Sequence, residues 1–242
     1  MDIIINMEYI IVLVICTLCI IICKFALNVK FKDLKEIKKI GYDKNLNDIT
    51  NNLPENEQIC KEILKKLKNE NVVIESNTEE NNKSSLYIVI SNKIIIANIK
   101  DSFTRIQTIA HECVHSVQNK RTLMFNFVFS NIYILYFVII SILTLLHIIT
   151  NPKLYMYILT ILGVIYYVIR NNLEMDAMQK APYIAKEYME ESKRLSQNQI
   201  DTVMQNYEHL NKMGIPMTSF NLITSVIIKI MIYCLIAIIF SV

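Results

Sequence analysis

IAHECVHSVQNKR, residues 109–121, runs directly into TLMFNFVFSNIYILYFVIISILTLLHIITNP, residues 122–152, which holds no Asp, Glu, Lys or Arg. The first stretch contains an HExxH sequence, His111-Glu112-Cys113-Val114-His115. On a helix the two histidines stand four residues apart on one face, so both rings reach a single metal ion, while Glu112, one step round, addresses a bound water. The second stretch is longer than the roughly 20 apolar residues needed to cross a bilayer core. A helix of the zinc-hydrolase kind therefore abuts a membrane span.

The helix itself reads as two-faced. Ile106, Ala110, Cys113 and Val117 recur at helical spacing, and Thr108, His111, Glu112, His115 and Gln118 fall toward the other side. Asp101 or Ser102 is the expected N-cap, and Lys120 and Arg121 are expected to close the last turn with the sign the helix dipole prefers. Cys113 falls on the apolar side, as buried filler and not as a ligand.

The rest of the chain is apolar in blocks. With 53% hydrophobic residues, no Trp and three Gly, 242 residues do not compose one soluble globule. Besides residues 122–152, charge-poor runs occupy residues 9–27, interrupted only by Lys24, residues 154–169 and residues 220–242. Four transmembrane helices are expected, at residues 3–27, 122–149, 154–169 and 220–241. The first lacks a small-residue cleavage site and reads as a retained anchor. Of the 25 Lys and Arg, all but Lys153 and Lys229 lie within residues 24–121 or 170–212, so both segments are expected in the cytoplasm and both termini outside. Lys229, midway along the last span, is the outlier; snorkelling, pairing within the bundle and partial insertion all account for it.

A net charge of +3, with the cations flanking spans, points to anionic lipid headgroups and not to nucleic acid. Six cysteines, mostly within spans and without a CxxC pair, predict no structural disulfide.

Between the spans, residues 31–40 read as a basic amphipathic helix ended by Gly41. Pro54 opens a second helix with the stripe Ile59, Cys60, Ile63, Leu64 and Leu67. Residues 72–74 suggest a strand and residues 76–85 a solvated loop. The β-branched runs 86–90 and 93–99, around Ser91-Asn92, predict a hairpin. A strand of that hairpin, 93–99 or its partner, is expected to hold an extended substrate beside the metal, with a simple lid as the alternative. Later, Pro182 is expected to interrupt a helix, a further stripe at Ile200, Val203, Met204, Tyr207 and Leu210 to cover the domain, and Gly214-Ile215-Pro216 to end it.

Two histidines do not complete a catalytic zinc site; a third protein ligand and an open position for water are needed. Two spans joined at Asn151-Pro152-Lys153 return the chain to the cytoplasmic face at Arg170, and the next acidic residue is Glu174. It stands about one helical turn past the interface, and His115 about two turns before the second span begins, so the heights suit a shared ion. Glu174 is the expected third ligand; Asp176, His209 and His147 are the alternatives, His147 belonging near the opposite face.

The elements Ile109-Ala110-His111-Glu112-Cys113-Val114-His115-Ser116-Val117-Gln118 and Leu173-Glu174-Met175-Asp176-Ala177, with Ala181 beyond, resemble the neutral zinc metallopeptidase family of bacterial multi-pass membrane proteins. That resemblance covers the two motifs, a span before the soluble segment and two spans between the motifs. It implies Zn2+ held by His111, His115 and Glu174 with Glu112 catalytic. The chain is less similar to the heat-shock membrane proteases and prenyl-protein proteases, which carry Asp four residues after the ligand Glu; here that position is Met178. The carboxylate that would orient the first histidine from there is missing, so its support comes from elsewhere.

The expected fold class is a mainly α membrane protein, four transmembrane helices with a small cytosolic α+β domain of the zincin-like metallopeptidase kind. Residues 28–121 hold the hairpin and the HExxH helix, and residues 170–219 the helical segment with the third ligand. The expected function is zinc-assisted hydrolysis of peptide bonds in peptides or proteins at the cytosolic membrane face, with Tyr183, Tyr188, Tyr207, His209 and Arg170 as candidate oxyanion donors. The alternative is a noncatalytic zinc-containing membrane protein that binds partners; a base beside the metal argues against it.

Overall fold

A computed structural model describes residues 2–77 and 84–240 of the chain. The protein is mostly helical with a small sheet. Among the described residues, four helices are long and apolar enough to cross a membrane: Met7–Ala26, Lys120–Leu145, Pro152–Ser192 and Gln197–Phe240. The elements run α1 (Asp2–Ala26), α2 (Phe31–Gly41), α3 (Lys44–Thr50), α4 (Asn56–Lys66), β1 (Val73–Ser76), β2 (Leu86–Ile88), β3 (Lys93–Ile96), α5 (Arg105–Val117), α6 (Lys120–Leu145), α7 (Pro152–Ser192) and α8 (Gln197–Phe240). They divide into two compact units, one of Met1–Val29, Phe125–Asn172 and Pro216–Val242, the other of Lys30–Met124 and Leu173–Ile215.

In the first unit, apolar residues cover most of each helix. Its core holds Tyr9, Tyr133, Ile140, Leu159, Tyr233 and Cys234. Gly163 on α7 permits a close approach: an added Cβ would stand 2.5 Å from Val226 Cγ1 and 2.9 Å from the Tyr133 hydroxyl oxygen. Thr144 donates to the Tyr233 hydroxyl oxygen at 3.2 Å, and Tyr233 donates to the Pro152 carbonyl at the same distance.

The second unit buries the two stripes legible in the sequence. Ile59, Cys60, Ile63 and Leu64 of α4 share a core with Ile106, Ile109, Ala110 and Cys113 of α5, closed by Ile200, Val203, Tyr207 and Leu210 of α8. Cys60 Sγ and Cys113 Sγ lie 3.7 Å apart, fully buried. That contact and the burial push the Cys113 thiol well above its ordinary range, so it stays protonated filler. Arg105, 1% exposed, opens α5 by donating to the carbonyls of Thr50, Leu53 and Pro54 and to Asn56 Oδ1, at 2.7–3.1 Å. It thereby ties the chain between α3 and α4 to the motif helix.

The sheet order is β1-β3-β2. β1 pairs parallel with β3, and β2 antiparallel with β3, Tyr87 facing Ile94. β3 is therefore central, and β2 is the edge strand of the hairpin among the described residues.

Several boundaries differ from the sequence reading, for local reasons. Asp43 accepts from the amides of Asn45 and Leu46 and starts α3, a helix the sequence reading lacks. The motif helix begins at Arg105 because Ser102 is otherwise engaged, donating to the Gly41 carbonyl and bonded to Thr104 Oγ1. Asn119 Oδ1 accepts from the amides of Arg121 and Thr122, so Lys120 and Arg121 open α6 instead of closing α5. Hairpin pairing stops at Ile88 and Lys93, leaving four residues in the turn. Asn92 there adopts a left-handed φ of 48° and bonds both Tyr87 and Asn71. Pro182 lies inside α7, and Gly214 and Pro216 inside α8; each proline removes one helical hydrogen bond without ending a helix of 41 or 44 residues. Most of the expected loop at residues 76–85, from 78 to 83, lies outside the described residues.

Candidate metal centre

His111 and His115 project from one face of α5, a turn apart, as their spacing requires. Their rings meet edge to face with centroids 4.6 Å apart, and their Nε2 atoms are 3.0 Å apart. Glu174, in the second unit's stretch of α7, brings Oε2 to 3.4 Å from His111 Nε2 and Oε1 to 3.8 Å from His115 Nε2. The ligand atoms of all three lie within 4.8 Å of one another, and the cluster can hold a metal ion.

The geometry fits such an ion. Tetrahedral bonds of about 2.0–2.1 Å place ligand atoms about 3.3–3.4 Å apart. The separations of 3.0, 3.4 and 3.8 Å bracket that spacing. The tautomer fits as well. Gln118 Oε1 lies 2.8 Å from His115 Nδ1 and accepts its proton, which leaves the His115 Nε2 lone pair aimed at His111. Two imidazole nitrogens at 3.0 Å need a proton or a cation between them.

Gln118 orients the second histidine of the pair, not the first, for which the position of Met178 offers no carboxylate. Its Nε2 donates to the Leu173 carbonyl at 2.9 Å and to Asp176 Oδ2 at 2.8 Å, so one side chain holds His115 and the turn that bears Glu174. Asp176 also pairs with Lys180 at 2.6 Å. Against the opposing effect of burial, Lys180 and Gln118 hold its carboxyl below the usual range. Asp176 is thus spent on orientation and does not join the cluster. Burial opposes protonation of His115, but Glu174, Gln118 and Glu112 outweigh it and raise the His115 pKa.

Glu112 is 7% exposed, and its Oε2 accepts the Tyr87 backbone N–H at 2.7 Å. That amide belongs to β2 and points away from β3, toward the motif helix. The other sequence candidates are not among the three clustered residues. His209 pairs with Glu36 at 2.9 Å, and His147 lies in the first unit. Among the candidate oxyanion donors, Tyr207 is fully buried and donates to the Phe103 carbonyl at 2.9 Å, Tyr188 is buried, Tyr183 is exposed, and Arg170 lies in the first unit.

Near the cluster, the second-unit parts of α7 and α8 leave an open groove lined by Met178, Pro182, Tyr183, Met204, Asn211 and Ile215. Met178 follows Glu174 by one turn, and Asn211 Oδ1 accepts from Gln107, one turn before His111, at 2.7 Å. No family model, curated protein or solved structure matches the chain.

Proposed function

We propose that the protein is a multi-pass membrane zinc metallopeptidase that hydrolyses peptide bonds of peptides or proteins at the cytoplasmic membrane face, of the kind its two motifs resemble. The observation that carries this reading is the convergence of His111, His115 and Glu174 within 4.8 Å, with Glu112 on the same helix as the histidines. Two nitrogens and one carboxylate oxygen are a borderline donor set that suits Zn2+ and leaves a fourth position open. Four long apolar helices support membrane insertion, and the concentration of cations in residues 24–121 and 170–212 supports a cytoplasmic site.

When bound, zinc lowers the pKa of a water and polarises the scissile carbonyl. The protein's own residues do the rest. Tyr87 N–H fixes one Glu112 oxygen, leaving the other to take a proton from the attacking water and return it to the leaving amine. Gln118 keeps His115 in the tautomer that offers Nε2. The groove at Met178 and Asn211 accepts substrate side chains.

The test is paired. In purified protein, Glu112→Gln is expected to keep its metal and lose cleavage of a fluorogenic peptide library, whereas Glu174→Ala is expected to lose metal. Wild type that binds no zinc refutes the reading. Zinc-loaded wild type no more active than Glu112→Gln favours the noncatalytic partner-binding protein instead.

A further inference from the structure

Lys229 sets a cation at the middle of the apolar half of α8, about 20 Å of helix beyond Pro216. At that depth a charge is costly unless it is matched. Within its unit, the sequence offers two carboxylates, Asp2 and Glu8, both at the start of α1, and Glu8 already pairs with Lys153 at 2.6 Å. None occurs in residues 125–172 or 216–242. The ammonium has instead the Ser225 hydroxyl at 2.8 Å, the Ser225 carbonyl at 3.2 Å and the face of the Tyr133 ring at 5.7 Å. All three are neutral.

Ser225 lies on a particular face. Asn221, Ser225, Ile228, Ile232, Leu235 and Ile239 recur at intervals of four and three, the seam of a helix that packs along another helix. Ile228, Ile232, Leu235 and Ile239 remain 41–64% exposed. By reaching back one turn to Ser225, Lys229 carries its charge onto this seam.

We infer that this stripe of α8 docks a transmembrane helix of a different protein, one bearing a single carboxylate at mid-span that faces Lys229 beside Ser225. A second copy of the chain does not fit, since it has no carboxylate at this depth. Lipid phosphates do not fit either, because they lie about 15 Å away at the edge of a hydrocarbon core about 30 Å thick. An ion pair supported by a serine hydroxyl in hydrocarbon gives both affinity and selectivity for the acidic helix. The inference rests on the membrane reading above but not on the peptidase chemistry.

The experiment uses the full chain, fluorescently labelled and reconstituted in phosphatidylcholine vesicles, with a labelled polyleucine helix carrying Asp, Asn or Leu at its centre. Energy transfer is expected to report association of the Asp helix about tenfold tighter than that of the Leu helix. Lys229→Met is expected to abolish the difference and Lys229→Arg to keep it. Equal binding of the three helices, or an Asp preference that survives Lys229→Met, overturns the docking site. Alkaline carbonate extraction separates the two levels: release of wild type from the vesicles overturns the membrane reading itself, while retention with no Asp preference overturns the partner alone.

Discussion

At the scale of single residues, the cluster depends on a group outside it. Gln118 links His115, Leu173 and Asp176. Gln118→Leu should therefore weaken metal affinity about 10–100-fold with the fold retained, as measured by competition with a chromophoric chelator. Protonation gives a second expectation. A histidine whose folded pKa is raised contributes stability that is fully present below its unfolded pKa, about 6.5, and is lost as pH rises through the folded value. His115 is such a group when no ion is bound. The metal-free protein should thus gain thermal stability from His115 as pH falls through its raised folded value toward about 6.5. The increment added by metal should shrink over the same window, because protons compete for the ligand nitrogens. Melting curves with and without metal across that range check both signs. Arg105→Met should cost about 3 kcal/mol or more, since three carbonyls lose a buried donor; chemical denaturation measures it. His111 and His115 were legible as a pair because helical spacing dictates a shared face, and Glu174 because it is the first acidic residue after two apolar runs. Gln118 could be placed on the motif's polar side, but its links to Leu173 and Asp176 could not, because those partners lie 55 and 58 residues away.

At the scale of elements, the apolar helices are governed by close approach. Gly163→Leu should destabilise the first unit by about 1–3 kcal/mol, and Gly163→Ala by less, since any Cβ there meets Val226 and Tyr133. Unfolding in mild detergent titrated with dodecyl sulfate provides the measurement. The amphipathic stripes of α4, α5 and α8 were legible because burial and period coincide. The starts and stops were less so. Caps depend on which side chain is left over: Ser102 looked available and is bonded to Gly41, while Asn119 displaced the expected helix end. Pro182 and Pro216 carry a strong local signal for breakage, but the helices on both sides are long enough to absorb one lost bond each. The parallel pairing of β1 with β3 left no trace in residues 72–74, because strand order is set by partners and not by period.

At the scale of the whole molecule, the membrane reading makes an orientation testable without any assay of function. In a background freed of the six native cysteines, Cys at positions 61 and 198 should react from one side of sealed vesicles with a membrane-impermeant maleimide, and Cys at position 150 from the other. Labelling of all three from one side would remove the two-span return that the topology requires. The second unit is itself assembled from two pieces, Lys30–Met124 and Leu173–Ile215, and the metal cluster draws on both, two ligands from the first and one from the second. An ion there is a staple across a long gap in sequence, acting much as a disulfide does by closing a loop. Chelation should then do more than silence chemistry: it should loosen the later piece from the earlier one, exposing the 173–215 segment to proteases.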